Sequence, residues 1–467
     1  MSGGQVLSEI GDGRLVKMEE DYTDAVDKQV PEAEALAKGG KLVEAIDQLT
    51  VLEKQTRLAA DMKSNSRVLL AIVKMCYEAK NWSVLNDQIV AFTKKRGLIK
   101  QAVSKMVQEC CSYVDKTPDL ETKLKLIATL RTVTDGKIYV EVERARLTYK
   151  LCQMKEAEGN VDEACKVLLD LQIETYGSME RREKVELLLE QMRLCLARSD
   201  FVRAQIISRK IAIKFFEDPS NEIQNLKLKY YQLMVQLDSN DNNYLAICRH
   251  YMAVYNTPIV QDDADRLHEV LKCAVMYVLL SPHDNEQWDL LNRIKHDRKL
   301  ESIPQYRELL NIFTIQELID WKRDIVGGYE KTLVQGTPGS PPTGIFDSKS
   351  ESGKKHWDDL QTRVVEHNIR MIAKYYTRIT LSRMSQLLDW PEPKTEEFLC
   401  QLVTKGTIPG AKIDRPTGIV RFQPKQNPTE VLDLWSSNVK SLMDVLNKVT
   451  HLILKEEMVH QHLKSSA

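Results

Sequence analysis

Short polar turns interrupt the helical patterning of this 467-residue chain at an almost constant interval, and that interval restricts the folds open to it. The turn centres fall at Gly40 (AKGGKL), Asn81 (AKNWSV), Pro118 (KTPDLE), Asn160 (EGNVDE), Asp200 (RSDFVR), Asp241 (SNDNNY) and Asp284 (PHDNEQ), spaced 41, 37, 42, 40, 41 and 43 residues apart. Between turns the apolar residues recur with helical periodicity. After Asn160, one face carries Val161, Ala164, Cys165, Leu168 and Leu171; after Asp200, another carries Phe201, Ala204, Ile207 and Ile211. Each interval holds two helices, and a helix pair of that size cannot bury its apolar stripe alone. It must stack on its neighbours. The expected fold is mainly α: a right-handed α-solenoid of helix pairs, tetratricopeptide-like at Ala79-Lys80-Asn81-Trp82 and Ala197-Arg198-Ser199-Asp200-Phe201.

The charge balance restricts the partners. Lys and Arg number 66 against 67 Asp and Glu, which leaves no global field to hold nucleic acid or an anionic membrane. Nine cysteines without a CxxC pair read as reduced, mostly buried thiols of the cytoplasm and nucleus. The N-terminal residues lack the apolar stretch of a secretory leader, and the longest apolar run, Cys273 to Leu280, is far short of a membrane span.

Composition changes after the array. Between Gly336 and Gly353, 13 of 18 residues are Gly, Pro, Ser or Thr, with Ile345 and Phe346 the only sizeable apolar residues, which reads as a flexible linker or loop. Beyond it an amphipathic helix from Trp357 to Tyr376, a short helix from Leu381 to Leu388 and a third from Thr395 to Val403 precede two strand candidates. The strands are Ala411-Lys412-Ile413-Asp414 and Ile419-Val420-Arg421-Phe422, joined by a hairpin-like turn. That order is a winged helix. From Pro428 the chain reads as one long C-terminal helix whose Leu432, Trp435, Val439, Leu442, Leu446, Val449 and Ile453 follow alternating steps of three and four. This seam asks for a partner helix or for the winged helix of the same chain. The divisions are thus 1–30, an N-terminal segment; 31–335, the repeats; 336–353, the linker; 354–427, the winged helix; and 428–467, the final helix.

No catalytic set is legible. Phosphate-binding loops and nucleophile elbows are missing, and His460-Gln461-His462, although spaced like a metal pair, lacks a downstream acid, so no metal and no cofactor is expected. His367 lies between apolar neighbours and reads as a satisfied core or interface histidine. Nucleic acid is the alternative that a winged helix raises, but Glu392, Glu396 and Glu397 against Lys394 would repel phosphates, while Lys405, Lys412, Arg415, Arg421 and Lys425 make the wing mildly basic. The pattern describes a non-enzymatic scaffold with three docking devices: repeat groove, strand edge and helix.

Val364-Val365-Glu366-His367-Asn368-Ile369-Arg370, Tyr375 to Thr380, Met384 to Leu388, Ala411 to Asp414 and Gly418-Ile419 resemble a PCI domain, the module shared by the proteasome lid, the COP9 signalosome and a translation initiation factor complex. Upstream, Lys54 to Arg57, Met75 to Lys80, Gly136 to Glu141, Glu174 to Met179, Gln191 to Ala197 and Asp284 to Gln287 are similar to a family of non-ATPase subunits of the proteasome lid. The resemblance implies a hetero-oligomeric, non-catalytic lid subunit. Its partners would be other PCI subunits, the lid's metalloprotease-type deubiquitinase and the ATPase ring. On that reading Ala411, Lys412, Ile413, Asp414, Ile419, Val420, Arg421 and Phe422 extend a neighbour's sheet, and the seven seam residues from Leu432 to Ile453 enter a helix bundle. A COP9 signalosome subunit is the alternative of the same architecture. Pro391, Pro393 and Ile408-Pro409-Gly410 depart from the family pattern.

Overall fold

The computed structural model describes residues 7–9, 15–17, 20–336, 341–347, 349–408, 410–422 and 427–464. It divides into two units, 1–264 and 265–467. Two short strands, β1 (Leu7–Glu9) and β2 (Leu15–Lys17), pair antiparallel near the N-terminus, a hairpin that the sequence reading did not include. The rest of the first unit is helical: α1 (Thr23–Lys38), α2 (Leu42–Leu58), α3 (Met62–Glu78), α4 (Trp82–Lys94), α5 (Lys100–Val114), α6 (Leu120–Thr134), α7 (Glu141–Ala157), α8 (Val161–Leu169), α9 (Arg181–Ala197), α10 (Phe201–Lys210), α11 (Asn221–Asp241), α12 (Tyr244–Tyr255) and the short α13 (Pro258–Asp262). Helix α1 starts inside the segment set apart as 1–30, because Val26 is already fully buried.

The first six turn centres read from the sequence are the reversals between α1 and α2, α3 and α4, and so on to α11 and α12. Most share one geometry. At Gly40, Lys80, Gly159, Ser199 and Asn242 the backbone is left-handed, with φ between 52° and 88°. The amide of the residue after each bonds back to the carbonyl five residues earlier, as from Asn81 to Cys76 (3.2 Å) and Asp200 to Cys195 (2.8 Å). This bond satisfies carbonyls that a helix end leaves free. The next helix starts at once: Asn81 accepts from the Val84 amide, Asp200 from Arg203 and Asn243 from Ala246.

The shared reversal geometry superimposes the stripes. Helices α1, α3, α5 and α7 pack in succession, as do α4 on α6 and α9 on α11, burying one core from Val26 to Leu147 and a second from Ala145 to Leu237. The repeat is visible in the ion pairs. Arg67–Asp27, Lys150–Asp115, Arg146–Glu183, Arg193–Glu156 and Lys210–Glu174 join residues 35 to 40 apart, at 2.6 to 2.7 Å. Buried amides tie one pair to the next: Asn65 donates to the Glu53 carbonyl (3.2 Å) and Thr56 Oγ1 (3.1 Å), and Gln191 to the carbonyls of Leu168 (2.8 Å) and Leu171 (3.1 Å).

The second unit opens with α14 (Ala264–Leu280), which is buried without interruption from Leu271 to Leu280, and continues through α15 (Asn285–Lys295) and α16 (Pro304–Thr314). A π-helical turn, Trp321–Val326, runs into α17 (Gly327–Gln335). Of the linker-like residues, Ile345 and Phe346 are 7% and 3% exposed, with the Phe346 ring against Trp357 and the Ile345 carbonyl accepting from His356 Nδ1. Helix α18 (Glu351–Tyr375) therefore begins before the boundary that composition placed after 353. A Cβ at Gly353 would overlap the Asp347 carbonyl, so this close approach requires glycine.

The winged helix follows as β3 (Arg378–Thr380), α19 (Leu381–Leu388), α20 (Glu392–Thr404), β4 (Lys412–Asp414) and β5 (Ile419–Arg421). Pro393 sits in the first turn of α20, where a missing amide proton costs nothing, so α20 starts earlier than the sequence placed it. Helix α21 (Pro428–Lys464) is the last described element. Asn368, 3% exposed, joins α18 to the preceding segment by accepting from the Ile319 amide and donating to the Ile319 carbonyl, both at 2.8 Å. Asn368→Ala leaves both groups unpaired at a cost of about 1–3 kcal/mol, so hydrogen exchange at the Ile319 amide is expected to quicken by roughly 5- to 150-fold. Unchanged exchange there would show that the clamp holds nothing.

Candidate protein-docking surfaces

The three strands of the winged helix form a sheet in the order β3-β5-β4. Strand β5 is central, with Val420 opposite both Ile379 and Ile413, and β3 occupies the side that the sequence reading left open. This corrects the expected edge. Ile419, Val420 and Arg421 pair on both sides and cannot extend a neighbour's sheet; Val420 and Phe422, 0% and 4% exposed, are core residues. Among the eight wing residues, Lys412, Ile413 and Asp414 on β4 remain at an edge, and Ala411 precedes it, partly buried against the same core. The signal for β3 was present in the β-branched run Thr377-Arg378-Ile379-Thr380.

The register places Arg378, Arg421 and Lys412 in one row across the exposed face. Like charges side by side across a sheet oppose its pairing, so the row favours a partner that brings carboxylates. Arg415 in the wing turn is neutralised within the domain by Glu396 of α20, at 2.7 Å. Lys425 lies outside the described residues. The helix that would read a major groove thus presents carboxylates, one of them already committed to the wing.

Helix α21 is exposed at every residue from Pro428 to His460. Its seven seam residues, Leu432, Trp435, Val439, Leu442, Leu446, Val449 and Ile453, are between 41% and 67% exposed. Folding back onto the winged helix is thus not the arrangement adopted. A second row, Val431, Val445, Leu452 and Val459, is equally open and lies one position before the first of the two seam rows. Three apolar positions in seven make a face too wide for one partner helix, and suit a bundle in which the helix has two neighbours.

Other residues picked out from the sequence have structural roles. His367 is 2% exposed and its Nε2 donates to the Glu317 carbonyl at 3.1 Å; burial, with Arg370 nearby, pulls its pKa down to about 4. His460 faces Glu456 of its own helix at 3.6 Å, and the side chain of His462 is outside the described residues. Seven of the nine cysteines are buried, and burial pushes Cys76 up to about 11 and Cys248 up to about 12. Such thiols are poor nucleophiles and poor ligands at neutral pH. A cavity of about 690 Å³ between residues 318–323, α18 and the end of α19 is lined by Trp321, Asn368, Asp389 and Trp390 and contains no nucleophile paired with a base.

Three family models match the chain in succession. Residues 44–263 match "PSMD12/CSN4, N-terminal", residues 335–424 match the PCI domain, and residues 429–461 match "26S proteasome regulatory subunit RPN5 C-terminal domain". The chain is 42% identical to the 26S proteasome non-ATPase regulatory subunit 12 of Dictyostelium discoideum, over 95% of this chain and 96% of that one. It is 39% identical to 26S proteasome regulatory subunit RPN5 of Saccharomyces cerevisiae, over 95% and 98%. Similarity to COP9 signalosome complex subunit 4 of Drosophila melanogaster is lower, 24% over 73% and 78%.

Two outcomes follow from these surfaces. Leu442 and Leu446 are 66% and 54% exposed, so in the Leu442→Asp, Leu446→Asp double variant denaturant unfolding of the isolated protein should shift by less than about 0.5 kcal/mol per site; a large loss would mean that α21 packs on its own chain. His367 is held neutral, with a pKa lowered from 6.5 to about 4. Between those values the unfolded chain takes up a proton that the folded chain refuses, so stability falls as pH drops through this window, by at most ~1.4 kcal/mol per pH unit. His367→Gln should flatten that slope in denaturation series at successive pH values.

Proposed function

The chain belongs to the family of the 26S proteasome non-ATPase regulatory subunit 12 and RPN5, and from that membership we propose that it is a non-catalytic scaffold subunit of the proteasome regulatory-particle lid, supporting lid assembly and ubiquitin-dependent protein degradation in the cytoplasm and nucleus. The observation that carries the reading is the alignment at about 40% identity across nearly the whole chain, through repeats, PCI domain and final helix alike. Partial similarity would have left the docking elements unassigned. Here the same relatives span each of them. The COP9 signalosome reading is disfavoured by the drop to 24% identity and by the match of the final helix to the RPN5 C-terminal domain.

In this proposal the partners are the other PCI subunits, which meet the β4 edge and its cationic row, together with the lid's metalloprotease-type deubiquitinase and the ATPase ring. Helix α21 supplies the strongest single contact. Burying seven seam side chains at up to roughly 1.5–3 kcal/mol each gives a gross gain of about 10–20 kcal/mol, enough to offset much of the cost of lost translational freedom and side-chain ordering. The repeats contribute surface, and no step of chemistry is assigned to the chain.

Tagged full-length protein and a variant ending before Pro428 test the two levels separately. Purified from cells, the full chain is expected to bring down proteasome subunits in stoichiometric amounts, and the truncated chain to lose most of them. Recovery of signalosome subunits, or of no complex, would sink the assignment. Unchanged incorporation of the truncated chain would sink only the role given to α21.

A further inference from the structure

In the first unit, residues 95–98 after α4 with Lys100 at the start of α5, and residues 136–139 before α7, line a cavity of about 690 Å³. Its lining is chemically one-sided: Lys95, Arg96, Lys100 and Lys137 contribute four cations, and no carboxylate lines it. Glu53 lies beneath, 1% exposed, and is shared by Arg57 (3.0 Å) and Lys95 (2.8 Å). Arg57 in turn donates to the Arg96 carbonyl, so that this buried acid is spent in holding the loop's shape. Lys137 is half-buried, and burial alone lowers its pKa, with no carboxylate beside it to offset the desolvation. A cation removed from water without an anion is a cost that a ligand can recover.

Ile138 stands at the rim of this cavity and is 79% exposed. With Lys137 it also lines a neighbouring hollow of about 280 Å³ whose other charged residues are Asp135, Glu141, Arg144 and Asp170, Asp135 being paired with Arg144 and Asp170 with Arg131. A basic cavity, an exposed β-branched anchor and a more acidic hollow therefore succeed one another along the loops. We propose that this surface docks an acidic segment of a partner protein, with carboxylates in the cavity at Arg96 and Lys137 and an apolar side chain seated on Ile138. The neighbouring hollow, with three carboxylates against two cations, is the poorer seat for an acidic residue, which favours one direction of the segment. A nucleic-acid strand fits less well. It needs a cationic track with stacking rings, whereas Tyr139 is the single ring in the lining and Ile138 would stay in water. The inference does not depend on the lid assignment.

The probe is a fluorescein-labelled peptide of glutamates flanking one central leucine, titrated with the full chain by anisotropy. Binding is expected to weaken steeply between about 50 and 200 mM salt. The Arg96→Ala, Lys137→Ala pair should reduce affinity by about tenfold or more, and Ile138→Ala by about fivefold with its salt dependence kept. Lys137→Arg should restore binding while leaving the thermal transition in place, which separates a lost site from a lost fold. Equal weakening by Lys125→Ala with Arg209→Ala, cations on other helices, would overturn the proposal, as would an intact chain that fails to bind the peptide. A labelled oligouridine that binds more tightly than the peptide, through Arg96 and Lys137 but indifferently to Ile138, would overturn it in favour of nucleic acid.

Discussion

The reversal inside each helix pair is the constraint on which the first unit rests. A helix end leaves carbonyls without partners, and here a left-handed residue followed by a backward amide bond satisfies them within three residues. Because most reversals take this form, successive pairs meet with their stripes aligned, and the same side-chain positions face each other one repeat later. The ion pairs spanning 35 to 40 residues and the buried amides of Asn65 and Gln191 follow from that alignment. A reversal of another length would have turned the next stripe away from its neighbour. The α5–α6 turn at Pro118 lacks the left-handed residue, and the stack there is continued by α4 on α6.

The second unit satisfies itself incompletely. Its winged-helix core, from Val365 to Phe422, is closed, yet the sheet ends in an open strand and the chain ends in a helix with an apolar face and no apolar neighbour. An apolar face of that length exposed to water is unfavourable in a monomer and marks an interaction site. The register sets the cations Arg378, Arg421 and Lys412 side by side, an arrangement that favours carboxylates brought by a partner. Such a protein is best understood as part of an assembly.

Much of this was legible beforehand because punctuation is local. Gly40, Asn81, Asn160 and Asp200 announce turns by their own conformational preferences, and helix α19 is bounded as Leu381–Leu388 by its apolar period alone. What escaped depended on distant residues. Ile345 and Phe346 sit in a Gly, Pro and Ser-rich stretch, and nothing local indicates that Trp357 and His356 will cover them. Strand β3 is three residues long and exists because β5 offers it an edge.

By itself the sequence determined the repeat period, the helix-pair architecture, the winged helix and the long final helix, since each is written in spacings shorter than about one repeat. It also determined that the charges nearly cancel. Tertiary structure alone decided which strand of the wing is central, and hence that Lys412 to Asp414 stay open while Val420 and Phe422 close the core. It alone decided that α21 is exposed along its length, and that Lys95, Arg96, Lys100 and Lys137, from segments about one repeat apart, line one cavity. The reason is the same in each case: pairing partners and neighbouring loops are chosen by stacking across the fold, which residue spacing along the chain does not encode.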